Sequence, residues 1–109
     1  MLKRNQKQVY LIKRISTDKN VELFDTPKPM RMGLVSMSDE EIVAVGGRLD
    51  KKYYKTVIRN EYAKEITKND RLFIDVPVDN DPQGKKADYK VSSIRNQHET
   101  TTIMLESRL

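Results

Sequence analysis

The sequence has no cysteine, no tryptophan, a single histidine and only four glycines in 109 residues. The lack of cysteine excludes disulfides, thiolate nucleophiles and Cys-based zinc sites. With one histidine as well, nitrogen–sulfur metal centres and Ser/His or Cys/His nucleophilic systems are close to excluded. Long apolar runs are missing too. No window approaches about 18 consecutive apolar residues, and no charged-then-apolar signal segment opens the chain. The expectation is a soluble protein made in a cytoplasm, unless another route exports it. Aromatic residues make up 6% and hydrophobic residues 37%, so one domain spanning 1–109 is expected to have a thin core. A chain of this size buries somewhat under ~70% of its unfolded surface, and its stability is expected to lean on partners.

Charge is abundant: 34% of residues are charged, with a net charge of +5. That balance favours anionic partners, either nucleic acid or an acidic protein surface, without choosing between them. Lys3, Arg4, Lys7, Lys13, Arg14 and Lys19 face only Asp18 in the first 19 residues. Residues 1–8 read as a basic arm, with Lys3, Arg4, Lys7 and Arg14 as candidate docking residues. The plainer reading is a solubilising terminus leading into a strand with a wet face.

The β-branched and aromatic residues fall in short runs between turn signals, which disorder would not produce. Gln8 to Ser16 reads as the first strand, with Val9, Leu11 and Ile15 on one face. Tyr10 and Ile12 fall on the other, so both faces are expected to meet protein. A turn over 17–20 leads to the return strand Val21–Phe24, and Thr26-Pro27-Lys28-Pro29 marks a corner, since proline cannot donate to a ladder. Met30, Met32 and Leu34 alternate as a half-buried strand requires. Ser38-Asp39-Glu40-Glu41 fits the S-x-x-E capping box, and Gly46-Gly47 stops the helical turn as a C-cap or serves as a hinge. Lys51 to Asn60 resumes an extended run. Glu61 to Lys68 reads as a helical turn or a strand, with an extended segment favoured, ending in a tight turn at Lys68-Asn69-Asp70. Arg71 to Val76 reads as the clearest strand, with Leu72, Ile74 and Val76 inward. Residues 77–87 form a long polar loop. Asp88 to Arg95 changes parity between Val91 and Ile94, which a bulge at Ser92-Ser93 would restore. Asn96-Gln97-His98 turns into a last strand carrying Thr101, Ile103 and Leu105. The fold class is therefore all-β: a small antiparallel barrel of six or seven strands, with one short helical turn in a long inter-strand loop.

Catalytic signals are faint. His98 sits in a turn, where a lone histidine is ordinarily a surface residue. Asp39, Glu40 and Glu41 are accounted for by helix capping. Asp79-Asn80-Asp81 begins like a calcium loop, but the spaced ligands and terminal glutamate do not follow. Val45-Gly46-Gly47-Arg48 lacks the spacing of a phosphate-binding loop. Tyr53-Tyr54, flanked by Lys51, Lys52, Lys55 and Arg59, superficially suits base stacking. A strand puts the two rings on opposite faces, however, so one belongs to the core. The residues alone reach a small, basic, non-catalytic barrel that works by binding, without cofactor, metal or small-molecule substrate. An OB- or SH3-like barrel binding nucleic acid is one form of it.

The order of features also resembles the head–tail joining proteins of tailed phages, the head-closure or stopper family. The resemblance rests on Ser38-Asp39-Glu40-Glu41 with Ile42 to Gly47, and on Tyr54-Lys55-Thr56-Val57-Ile58-Arg59. It continues through Ile66-Thr67-Lys68-Asn69-Asp70-Arg71-Leu72, Tyr89-Lys90-Val91-Ser92-Ser93-Ile94 and the strand Thr101–Leu105. It covers roughly 9–106, as weak signals in a fixed order. Loop 77–87 and the missing tryptophan of the early hairpin depart from the pattern. The resemblance implies a virion protein of the neck, present in the host cytoplasm during assembly, which forms a twelve-fold or six-fold ring. Its partners would be the portal or adaptor, a tail-terminator or tail protein, other copies of itself and the packaged DNA. The implied channel loop is 36–52, with Ser38, Asp39, Glu40, Glu41, Gly46, Gly47, Arg48, Lys51 and Lys52 as its candidate residues.

Overall fold

The computed structural model describes residues 6–18, 21–78 and 85–108. Among the described residues, nine strands and two short helices follow in the order β1 (Lys7–Ile12), β2 (Arg14–Asp18), β3 (Val21–Phe24), β4 (Lys28–Met32), β5 (Val35–Ser36), α1 (Asp39–Ala44), β6 (Tyr53–Arg59), α2 (Asn60–Ala63), β7 (Arg71–Phe73), β8 (Tyr89–Asn96) and β9 (Thr100–Ser107). Seven strands form one antiparallel sheet in the order β4-β1-β7-β8-β9-β6-β5, and β2 and β3 pair separately. The sheet's two edge strands, β4 and β5, are separated by Gly33 and Leu34 alone. Three chain steps span at most about 11 Å, so the two edges come near one another at that end and the sheet curls into a half-barrel without β4 and β5 pairing. The all-β, barrel-like architecture expected from the sequence is the one observed.

Alternation builds the interior. Thr101, Ile103 and Leu105 of β9 point inward and are fully buried, as are Val9, Leu72 and Val91, while Leu11 and Met32 are nearly so. Met30 and Leu34 pack against this cluster as their spacing requires. The β8–β9 register slips by one residue between Val91 and Ser93, which is the expected bulge. On the outer side of β1 and β7 a second cluster joins Ile12, Phe24, Phe73 and Ala87, so β1 does meet protein on both faces. The Arg71 guanidinium lies 4.5 Å from the Phe24 ring centroid and closes this layer.

Two buried aspartates set where strands end. Asp70 is fully buried, and its carboxylate accepts from the Arg14 N–H at 3.0 Å, the Thr67 N–H at 2.9 Å and the Thr67 hydroxyl at 2.9 Å. Capture of the Arg14 N–H, with the Asp25 N–H donating to the Lys13 carbonyl, ends β1 at Ile12. Ile15 is then carried outward and stands 63% exposed, not on the Val9 face of one long strand as its spacing suggests. The Asp88 carboxylate accepts from the Ile74 and Asp75 N–H groups at 2.8 and 3.0 Å. That bends the chain after Phe73, so the strand expected to reach Val76 is three residues long, and Phe73 is buried on the side opposite Leu72.

Three further expectations are corrected. Pro29 lies within β4, opposite Tyr10; an edge strand accommodates it because one side of its backbone needs no partner. The Glu61–Lys68 segment is not extended: α2 turns at its start. Asn60 donates its side-chain amide to the Gln97 and His98 carbonyls and accepts from the Thr101 hydroxyl at 2.6 Å. Ala63 and Ile66, at helical spacing, are both buried. Finally, β1 begins at Lys7, so residues 7 and 8 of the expected N-terminal arm belong to the sheet.

Candidate interaction site

The excursion between β5 and β6 is fastened at every turn. Ser38 has extended backbone angles, its hydroxyl accepts from the Glu41 N–H at 3.3 Å, and the Glu41 carboxylate accepts from the Ser38 N–H at 3.2 Å. The reciprocal capping box written in the sequence is therefore formed. At the other end, the Gly46 N–H donates to the Val43 carbonyl and the Gly47 N–H to the Ile42 carbonyl. With Gly46 at φ +76°, this is a Schellman C-cap. The two glycines thus act as a cap, one of the two roles open to them in the sequence.

Packing then fixes α1 to the sheet. Ile42 is buried beneath it, and Gly47 lies against Ile42 and the Tyr53 ring. The Tyr53 hydroxyl accepts from the Arg48 N–H at 3.0 Å and donates to the Glu106 carboxylate at 2.7 Å. The Lys52 and Ser107 backbones bind one another, with the Ser107 hydroxyl accepting from the Lys52 N–H at 3.0 Å.

The charges of the excursion fall into two groups. Glu41 pairs with Lys55 of β6, which, with the Ser38 N–H, holds its carboxyl below the usual carboxylate range. The Arg48 guanidinium grips Asp50 through two bonds of 3.1 and 2.8 Å and so is neutralised within the loop. Asp39, Glu40, Lys51 and Lys52 have no ion-pair partner among the described residues. Around them stand exposed apolar side chains: Val43, Val45 and Leu49 are 61%, 48% and 60% exposed.

The candidate docking residues are not brought together. Lys3 and Arg4 lie outside the described residues. Lys7 pairs with Asp75, and that hydrogen bond raises its pKa. Arg14, beyond the other end of β1, is half-buried.

Tyr53 and Tyr54 take opposite faces, as expected, Tyr53 buried and Tyr54 half-buried. Tyr53 is under α1, and Tyr54 packs 5.2 Å from Tyr89 in the barrel. Burial pushes all three phenols up, Tyr89 to about 12. His98 is exposed in the β8–β9 turn, and Asp79, Asn80 and Asp81 lie outside the described residues. Among the described residues no three His, Cys, Asp or Glu side chains gather as metal ligands, and no helix is long and apolar enough to cross a membrane.

One feature escaped the sequence reading. A groove of about 530 Å³ opens between α2, the following turn and β8, with Lys64 and Lys68 on its lining beside Ala63, Ile66 and Ile94. Reading 61–68 as extended hid it; the A-x-x-I spacing of Ala63 and Ile66 was the available signal. No family model matches the chain, and neither a curated protein nor a solved structure does.

Proposed function

We propose that this chain is a non-enzymatic structural component of a tailed-phage neck, a ring subunit set between the portal or its adaptor and the tail. The observation that supports this reading best is the pairing of rigidity with exposure at α1. A capped, packed excursion presents Val43, Val45 and Leu49 to solvent in a chain otherwise poor in apolar residues. Exposed apolar side chains rimmed by charge suit contact with protein. In a ring, even a weak contact per subunit is multiplied by the number of subunits.

Toward DNA in the channel, segment 36–52 would present Asp39 and Glu40 against Lys51 and Lys52, with Arg48 already neutralised. That balance suits a wall along which DNA passes more than a clamp that grips it. A nucleic-acid-binding barrel would call for a platform of surface aromatics; Tyr53 and Tyr89 are buried, Tyr54 is half-buried, and of the seven aromatic side chains Tyr62 alone is exposed. The test is co-purification: the tagged chain is mixed with portal assemblies of the encoding phage, with or without the adaptor. Stoichiometric capture on the connector is expected. Failure to bind either assembly would remove the proposal.

A further inference from the structure

We infer that α1 of one copy seats in the α2 groove of the next, so that the ring contact is made between two different surfaces of the same chain. This rests on the ring reading above and names its interface. The helix side of the contact is a ridge on which Asp39 and Glu40 stand one turn from Val43. All three are exposed, and neither carboxylate has an ion-pair partner among the described residues. The groove side has the opposite character. Its floor is Ala63, Ile66 and Ile94, no carboxylate lines it, and Lys64 and Lys68 likewise have no ion-pair partner among the described residues. Two carboxylates around an apolar side chain on one surface therefore match two ammonium groups around an apolar floor on the other.

The two surfaces cannot meet within one copy. α1 packs on β6 at Tyr53, and α2 follows Arg59 at the other end of that seven-residue strand, about 20 Å away. Their pairing is therefore between molecules and between unlike surfaces. Such a contact closes into a ring when the rotation between copies allows it.

Charge reversal in sedimentation velocity tests this. D39K/E40K places lysines on both surfaces, and K64E/K68E places carboxylates on both. Each variant alone is expected to associate at least about tenfold more weakly than the parent chain, since like charges then face one another. Mixed in equal amounts, the two are expected to recover assembly, because every contact then joins a basic to an acidic surface. The mixed rings would hold an even number of copies. Recovery on mixing also shows that both variants are folded.

Variants that assemble as the parent does would overturn this interface and leave the ring reading standing. So would weakened variants that fail to recover on mixing. A parent chain that remains monomeric at every concentration would overturn self-seating of α1, while capture on the connector would still judge the neck reading separately.

Discussion

Gly47 sits so close to Ile42 that a β-carbon on it would fall 2.8 Å from Ile42 Cγ2 and 3.2 Å from the Tyr53 ring. The absence of a side chain at one position thus lets α1 lie on the sheet. Gly47→Ala is expected to lift the helix or displace Ile42, at about 1–3 kcal/mol. Gly46, at φ +76° with open space around it, tests backbone conformation separately, and Gly46→Ala is expected to cost about 1–2 kcal/mol. Urea denaturation of both variants checks the pair, with Gly47→Ala the more damaging.

Asp70 is the second point at which one side chain decides the fold. Asp70→Ala leaves the Arg14 and Thr67 N–H groups without their acceptor, at about 1–3 kcal/mol for each that stays buried. The bend between β1 and β2 depends on the same carboxylate, so faster amide exchange at Arg14 and Thr67 is expected alongside the lower midpoint. An unchanged exchange pattern would mean that the bend is set elsewhere.

The capping box gives a prediction with a pH signature. Ser38→Ala is expected to cost about 1 kcal/mol at neutral pH, seen as a drop of a few degrees in melting temperature. In the parent chain, the folded-state pKa of Glu41 lies below its unfolded value. Its contribution is therefore present above the ordinary carboxylate pKa and is lost as pH falls through the depressed one. Amide signals of α1 are expected to broaden in that acidic window.

At the alkaline end the buried phenols act in the opposite sense. Three of the five tyrosines, Tyr53, Tyr54 and Tyr89, have raised pKa values. Their stabilisation is complete below the unfolded value near 10 and is lost as pH climbs toward the Tyr89 value of about 12. Phenolate absorbance is expected to rise in at least two steps, the later one coinciding with unfolding. A single step at the ordinary pKa would contradict the packing of Tyr54 against Tyr89.

Where the local pattern and the tertiary structure agree, the sequence was legible. The Ser38–Glu41 box, the Gly46 cap, the bulge beside Ser93 and the inward Thr101, Ile103 and Leu105 all follow from spacing alone. The departures at Ile15, Val76 and 61–68 share one cause. Arg14 and Ile74 are diverted by carboxylates from Asp70 and Asp88, one of them 56 residues away along the chain, and no local periodicity records such a bond. Asn60 likewise turns the chain into α2 by holding the distant 97–101 segment. Of the candidate site, the scaffold of α1 was legible, but the pairing of Arg48 with Asp50 and of Glu41 with Lys55 was not. Neither was the Lys64–Lys68 groove, which exists only once α2 is helical.

Native mass spectrometry of the purified chain, alone and with short duplex and single-stranded DNA at two salt concentrations, tests the central claim most directly. A neck ring subunit predicts a closed set of multiples of the 12.7 kDa chain whose distribution DNA does not change. Monomers that form stoichiometric DNA complexes, lost steeply as salt rises, would contradict it and make the chain a nucleic-acid-binding barrel.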